Sequence, residues 1–400
     1  MTAPEASSTP TPGQRRIVII GCGIIGKHHA LVATKHPDFV VTGLVDTDPA
    51  AMERVAEVVV AEGADRPTSY GSIADALAAG ADVAAICTPS GLHLDQAEEC
   101  LAAGVHLVIE KPLDVSVQHG VEFGRLVEAA EERGQVVSVI SQHRFDPGSQ
   151  VVRKIIEEKK LGTVTSAMAS MAWFRSQAYY DSGDWRGTWA LDGGGAVMNQ
   201  GVHTVDLLRW FLGRPVEIFA HTAQLAHERI EIEDTATATI RFESGALAAL
   251  HLTTAAYPGL TVRLQVHGSL GSAIIDNDEL KYLHAGDGEV DANLRSAKSR
   301  GNQAEQASKA EDEFSGSRND PNSFLAGHLR QYDDIAAAIK DGGRPLVDTQ
   351  EALLSLALVR SIYVSATLGQ PVAFDDVLHG KYDDVEPVIK GRPVEVEAAS

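Results

Sequence analysis

One glycine-rich loop constrains this chain more than any other feature of its sequence. Gly21, Gly23 and Gly26 have the spacing G-x-G-x-x-G, and they lie between the apolar run Arg16–Ile20 and a helical pattern over Ile24–Lys35. A loop in this context places the free N–H groups of a helix N-terminus against a dinucleotide pyrophosphate. We therefore predict an N-terminal Rossmann domain. The competing interpretation is a plain turn in another α/β domain. The strand before the loop and the helix after it favour the dinucleotide site instead.

An acidic residue at the end of the next strand indicates which cofactor is expected. The β pattern Phe39–Val45 ends at Asp46, about 20 residues beyond the last glycine, where a carboxylate accepts hydrogen bonds from ribose hydroxyls. The same carboxylate repels a 2′-phosphate, so NAD is expected and NADP is disfavoured. Ile24, Ile25 and Thr47 are predicted to line the same cofactor site.

The pattern of predicted elements changes along the chain. The first third alternates β-branched runs with helical patterns, which is typical of a parallel, doubly wound α/β sheet. After about Arg144 extended runs follow one another directly, which favours an α+β domain with a large open, mostly antiparallel sheet. We predict a disordered leader over 1–14, a Rossmann domain over 15–144, a substrate and oligomerisation domain over 145–375 with a flexible insertion at about 285–322, and a C-terminal extension over 376–400.

Charge and composition exclude several classes of partner. The formal net charge of −21 repels nucleic acid and anionic lipid. No apolar run approaches the ~18 residues of a membrane span. Three scattered cysteines, Cys22, Cys87 and Cys100, are too few for a disulfide framework or a zinc site, and they favour the reducing cytoplasm. No bound metal is expected.

Two further motifs are CTPSGLH at residues 87–93 and EKP at residues 110–112. Both lie where parallel strands are predicted to end, which is the edge where open α/β sheets bind ligands. A lysine there is either a solvated surface charge or a functional group, and its position at this edge makes it a candidate. The sequence does not decide whether the bond before Pro112 is cis. The candidate cofactor-binding residues of the two motifs are Thr88, Pro89, His93, Glu110 and Lys111.

A glycine triplet, Gly193–Gly195, precedes a predicted helix over Ala196–Leu212. Glycine backbone can approach a ligand closely. Asn199 and His203 are four residues apart on this helix, which places them on one face. His203 is either a satisfied core histidine or the group that transfers a proton near neutral pH.

Taken together, these motifs resemble the Gfo/Idh/MocA oxidoreductases, the family of glucose–fructose oxidoreductase and inositol 2-dehydrogenase. The resemblance covers roughly residues 16–374. It implies an active site between the two domains and assembly as a homodimer or homotetramer. The matching segments, in the family's order and spacing, are GCGIIG, VDTDP, CTPSGLH, EKPL and GGGAVMNQGVHTVDLLRWFLG.

The resemblance also implies roles for individual residues. It places Lys111 beside the nicotinamide, and His203 matches the family's helical histidine, so these two are the catalytic candidates. Trp185 and Arg186 resemble the "WR" of one branch, in which a neighbouring loop or subunit closes over the cofactor. Asn199 is a departure, because inositol-dehydrogenase-like members have Asp there. Asn carries no charge, which predicts a weaker base and argues against inositol dehydrogenase.

The expected reaction is reversible oxidation of a secondary ring hydroxyl of a sugar or cyclitol. Hydride goes to nicotinamide C4, and the proton goes to His203, or to Lys111 through a short relay. One alternative is an NAD-retaining glycosidase or epimerase with transient ring oxidation, and another is a non-catalytic NAD-binding regulator. The expected substrate contacts are Lys111, Arg144, Tyr179, Asn199 and His203, with Gln142, His143, Tyr180 and Tyr257 as further candidates that packing would equally explain.

Overall fold

A computed structural model describes residues 13–286, 301–308 and 323–389 of the 400-residue chain. Most of the predicted leader, most of the predicted insertion and the end of the predicted C-terminal extension lie outside these residues. The chain divides into two compact units, residues 1–142 with 318–353 and residues 143–317 with 354–400.

The described elements follow the predicted change from alternating to consecutive strands. The strands are β1 Arg15–Ile20, β2 Phe39–Val45, β3 Thr68–Tyr70, β4 Val83–Ile86, β5 His106–Ile109, β6 Val137–Val139, β7 Val164–Ala172, β8 Pro215–Ala223, β9 Thr235–Phe242, β10 Leu247–Thr253, β11 Val262–Gly268, β12 Ser272–Asp276, β13 Glu279–His284 and β14 Val372–Ala373. The helices are α1 Ile24–Lys35, α2 Pro49–Ala61, α3 Ile73–Ala78, α4 His93–Ala102, α5 Val117–Glu131, α6 Pro147–Glu157, α7 Gln177–Tyr180, α8 Val202–Leu212, α9 Ser323–Asp341, α10 Thr349–Leu368 and α11 Phe374–Leu378.

The first unit is built on a six-stranded sheet in the order β3-β2-β1-β4-β5-β6. Every pairing in it is parallel, and this order is that of dinucleotide-binding domains. The prediction of a doubly wound Rossmann sheet is confirmed. The sequence does not predict β3, because its three residues carry no buried apolar side chain.

Helix α9 belongs to the first unit, although the sequence predicts residues 318–353 as part of the second domain. The reason is packing. Leu325, Leu329 and Tyr332 of α9 are buried in one core with Ile17 of β1 and Val55 of α2. Each such side chain contributes roughly 1.5–3 kcal/mol by burial, and nothing in the local sequence marks the return of the chain to this core.

The second unit carries an eight-stranded sheet in the order β13-β12-β11-β7-β10-β9-β8-β14. Its pairings are antiparallel except for β7 with β10, which confirms the predicted large, mostly antiparallel sheet. Buried and exposed residues alternate along β9, so one face of the sheet carries the core. Strands β12 and β13 lie beyond those that the sequence predicts.

Helix α10 is long and apolar enough to cross a membrane by length and composition alone. However, 67% of its most apolar window is buried inside the protein, as expected for the core helix of a globular protein. Among the described residues it is the one helix that meets this criterion.

Candidate active site

The three glycines of the first loop differ in what surrounds them. Gly21 has φ +89, and a Cβ there would lie 2.8 Å from the backbone of Cys87. At Gly26 a Cβ would lie 1.8 Å from the Gly21 carbonyl oxygen, whereas at Gly23 it would meet nothing within 4 Å. The first and last glycines are therefore required by the protein's own packing. Gly23 leaves open space at the N-terminus of α1, where a ligand can approach.

Asp46 lies at the end of β2 and supports this loop. Its Oδ2 accepts a hydrogen bond from the backbone N–H of Cys22 at 2.6 Å, and its Oδ1 accepts one from Asp48 at 2.8 Å. An ionised carboxylate offers about four acceptor positions, so capacity remains for ribose hydroxyls. The neighbouring Thr47 is exposed, and so is Ile24, at 80%.

His93 joins the loops that follow β4 and β5. Its Nδ1 lies 2.8 Å from the carbonyl oxygen of Pro112, and its Nε2 lies 2.9 Å from that of Thr88. The ring is buried, and burial lowers the pKa of His93 against the opposing effect of these two hydrogen bonds. His93 thus links the loop after β4 to the loop after β5. The Lys111–Pro112 peptide bond in the second of these loops is cis.

Glu110 is buried directly before Lys111. Its Oε1 is 2.8 Å from His29 Nε2, and its Oε2 accepts a hydrogen bond from the Lys111 backbone N–H at 3.0 Å. Burial raises the pKa of Glu110, but the hydrogen bond from His29 and the nearby positive charges outweigh it and hold that pKa well below its usual range. Tyr332 of α9 contacts His29 Nδ1 at 2.7 Å. Glu110 is therefore an anion that holds the backbone of Lys111, one of the two catalytic candidates.

Two glycines of the triplet in the second unit, Gly194 and Gly195, leave no room for a side chain. A Cβ at Gly194 would lie 2.1 Å from the hydroxyl of Tyr363, and one at Gly195 would lie 1.9 Å from the backbone oxygen of Glu233. The Glu233 carboxylate accepts hydrogen bonds from the Val197 N–H at 2.8 Å and the Tyr363 hydroxyl at 3.0 Å. Burial raises the pKa of Glu233 to about 7. At Gly194 and Gly195 the protein itself therefore makes the close approach.

The helix predicted over 196–212 is two elements. Residues 196–200 form a π turn, because the N–H of Gly201 bonds the carbonyl of Ala196 at 2.8 Å, five residues back. Gly201 permits this close approach, since a Cβ there would lie 2.6 Å from the Ala196 oxygen. Helix α8 follows from Val202. Such π turns frequently occur at functional sites, and this one carries Asn199.

Asn199 is held by the carboxyl group of Asp192, a residue that the sequence does not single out. Its Nδ2 donates a hydrogen bond to Oδ1 of Asp192, and Oδ2 of Asp192 accepts one from the Gly187 N–H at 2.9 Å. Asp192 is buried. A buried carboxyl group therefore holds the side-chain amide of Asn199 in place. The only sequence signal was an acidic residue directly before the glycine triplet.

His203 and His143 are in edge-to-face contact within the second unit, with ring centroids 4.9 Å apart and planes at 82°. His203 lies in the first turn of α8 and is half-buried. Arg144, by contrast, is fully buried in a two-bond ion pair with Asp206, at 2.6 and 2.7 Å. That ion pair accounts for Arg144 without a substrate contact.

Tyr179, Trp185 and Arg186 lie together in the structure, with Arg175 and Gln200 beside them. The guanidinium of Arg186 lies 4.3 Å from the Trp185 ring centroid and 4.5 Å from that of Tyr179. Arg175 lies 5.0 Å from the Tyr179 centroid and donates to Gln200 at 2.7 Å. The Tyr179 hydroxyl accepts from Arg186 at 2.8 Å and from Gln200 at 2.9 Å. We call these five residues the arginine–tyrosine cluster.

Two of the further candidates differ in exposure. Tyr180 is buried, with its hydroxyl 2.9 Å from that of Thr254, which fits packing. Tyr257 is 80% exposed and contacts the ring of Phe174.

Two family models match this chain. The model of an oxidoreductase family with an NAD-binding Rossmann fold matches residues 15–141, and the model of the GFO/IDH/MocA C-terminal domain matches residues 149–274. Together they span more than half of the 400 residues. The chain belongs to the GFO/IDH/MocA family of oxidoreductases, and its first unit is an NAD-binding Rossmann domain.

Individual relatives place it among dehydrogenases. It is 31% identical to the WlbA dehydrogenase of Bordetella pertussis, solved with NADH and UDP-GlcNAcA, with a TM-score of 0.77 over 91% of this chain and 99% of that one. It is 29% identical to inositol 2-dehydrogenase of Rhizobium meliloti (strain 1021), over 66% of this chain and 76% of that protein. It is 25% identical to D-xylose 1-dehydrogenase (NADP(+)) 2 of Haloferax volcanii, over 89% and 99%. Since one of these names specifies NADP(+), family membership alone does not fix the cofactor.

Proposed function

We propose that this protein is an NAD-dependent dehydrogenase that oxidises a secondary ring hydroxyl of a sugar derivative to a ketone. The observation that carries the proposal is the anchoring of Lys111 by the anionic Glu110 at the end of β5. A lysine whose backbone is fixed by a buried carboxylate, at the ligand edge of an NAD-binding sheet, is built for a defined position rather than for solvation. His203 of α8 supplies the group that takes the hydroxyl proton.

The residues of the first unit fit the dinucleotide. Gly23 leaves open space at the N-terminus of α1, and the first turn of that helix has no acidic residue to repel a pyrophosphate. Asp46 offers acceptor capacity for ribose hydroxyls and a charge that repels a 2′-phosphate, which favours NAD over NADP. When bound, NAD supplies the hydride acceptor.

The chain's own residues account for the proton. As the substrate C–H hydride is transferred, the hydroxyl proton passes to the imidazole of His203, which is suited to general base catalysis near neutral pH. Asn199, held by Asp192, orients the substrate hydroxyl or the imidazole. The Lys111 ammonium stabilises charge on the reacting oxygen. Loss of one O–H proton and one C–H hydride leaves the ketone.

The finer proposal concerns the substrate. The arginine–tyrosine cluster places two guanidinium groups among aromatic rings on a protein of net charge −21. Guanidinium groups suit carboxylates and phosphates because they bind these groups through two parallel hydrogen bonds. The relative WlbA was solved with UDP-GlcNAcA, which carries both groups. We therefore propose a nucleotide-linked acidic sugar as the substrate.

The test is NADH formation, followed by absorbance, with UDP-linked uronic acids, free sugars and inositols and with NAD or NADP. We expect turnover with NAD and the nucleotide-linked acid, and a fall of about 100-fold or more for Lys111→Ala and His203→Ala. Full turnover by both variants would overturn the assignment. Sugar conversion without accumulation of NADH would favour the NAD-retaining glycosidase or epimerase instead.

A further inference from the structure

His143 lies between two carboxylates of the second unit. Its Nδ1 is 2.8 Å from Asp146 Oδ2 and 3.2 Å from Asp278 Oδ1, so one ring N–H is shared between them. Burial lowers the pKa of His143, but these two hydrogen bonds and charges outweigh it and raise the pKa to about 10. His143 is an imidazolium at neutral pH, and two carboxylates fix the direction of its ring.

Asp278 reaches His143 from an unusual backbone conformation. Asn277 and Asp278 form the turn between β12 and β13 with φ of +48° and +65°. Asn and Asp enter this left-handed region more readily than other side chains do, and hairpin turns of this kind prefer glycine at their second position. Glycine at position 278 would form the same turn with less strain. Asp278 fits the turn and in addition brings a carboxylate to His143.

His143 also contacts the proposed base. Its ring and that of His203 are perpendicular, with centroids 4.9 Å apart, the arrangement in which the positive edge of one ring meets the negative face of the other. The charged groups that face His143 are Asp146 before α6 and Asp278 of the β12–β13 turn, with His203 contributed by α8. A ring clamped on one side and in contact with His203 on the other restricts how His203 can turn.

We propose that His143 is a positioning residue that, clamped by Asp146 and Asp278, fixes the ring of His203 for proton transfer. The inference rests on the proposed function for its kinetic consequences. The ring contact itself can be tested without turnover.

The kinetic experiment uses the full chain with His143→Ala and Asp278→Gly. We expect His143→Ala to lower kcat by about 10- to 100-fold, part of the 100-fold or more that proton transfer contributes, with KM and NAD affinity within about twofold. Asp278→Gly suits the turn and keeps the fold, so a smaller fall in kcat at an unchanged or higher Tm tests the clamp even where His143→Ala fails to fold. His251→Gln, on β10, is the matched control and leaves kcat unchanged.

Two outcomes would overturn the proposal. If His143→Ala slows the His203→Ala enzyme by the same factor as it slows the wild type, the two residues act independently. If KM rises while kcat stays constant, His143 binds substrate instead.

A spectroscopic arm separates this proposal from the proposed function. Histidine ring resonances are recorded in the absence of substrate, and His203 is assigned by its loss in His203→Gln. A shift of the His203 resonance in Asp278→Gly supports the contact even if no sugar is oxidised, and an unchanged resonance overturns it.

Discussion

Two glycine-rich segments, one in each unit, look alike in sequence and differ in structure. In the first, the middle glycine, Gly23, has open space around it. In the second, the Tyr363 hydroxyl and the Glu233 backbone take the space that a Cβ would need at Gly194 and Gly195. We call the first the open segment and the second the filled segment. A run of glycines therefore marks a close approach of some kind. Whether a ligand or the protein itself makes that approach depends on residues far away in the chain.

Replacement of a glycine in the filled segment gives the largest expected effect. Gly195→Ala places a Cβ 1.9 Å from a backbone oxygen, and backbone cannot move aside as a flexible side chain can. We expect the free energy of unfolding of the second unit to fall by about 3 kcal/mol or more, measured by denaturant unfolding. Gly124→Ala, in an open position on α5, is the control and leaves stability unchanged or slightly raised. Equal stability of the two variants would contradict the filled-site interpretation.

The fold was largely predictable because local patterns determine it. Buried runs such as β1 and the side-chain cap of Asp48 at the start of α2 are signals contained within a few residues. What could not be predicted depends on distant partners. Helix α9 joins the first unit through its packing against β1, and β3 lacks the buried side chains that make a strand visible in a sequence.

The site divides in the same way. The glycine spacing and the acidic end of β2 were visible because the motif itself sets their distances. Asp192 was missed because it acts through the side chain of Asn199. The proposed substrate role of Arg144 could not be judged from the sequence, since its partner Asp206 lies 62 residues along the chain.

The next effect concerns the carboxyl group that holds the filled segment. Glu233 has its pKa raised to about 7 by burial, above the value near 4.3 in an unfolded chain. A raised pKa contributes stability that is fully present below about pH 4 and is lost as pH rises through about 7. We expect a loss of roughly 3–4 kcal/mol over this window, seen as a falling Tm. In Glu233→Gln this component disappears, and an identical pH profile in the variant would contradict the assignment.

For the open segment we expect the opposite result, in which NAD affinity falls while the stability of the fold is unchanged. Gly23→Ala adds a methyl group that meets no protein atom within 4 Å, so Tm is expected to stay within a few degrees. The methyl occupies the space for the pyrophosphate, and NAD affinity should fall by about 10-fold or more, measured by calorimetric titration. A variant that loses stability but keeps its NAD affinity would reverse the contrast between the two segments.

The smallest expected effect is on cofactor choice, at the acidic residue beside the open segment. Asp46 accepts hydrogen bonds from Cys22 and Asp48 through its two oxygens, and asparagine can retain one of these two contacts. Asp46→Asn keeps one acceptor oxygen and removes the charge that repels a 2′-phosphate. We expect the ratio of kcat/KM for NAD to that for NADP to fall by about 10-fold, equivalent to about 1.4 kcal/mol, with most of the change in NADP affinity. Asp48→Asn, whose carboxylate caps α2, is the matched control for loss of a nearby charge. If both variants change the ratio equally, the discrimination comes from the general negative field around the loop rather than from a contact at Asp46.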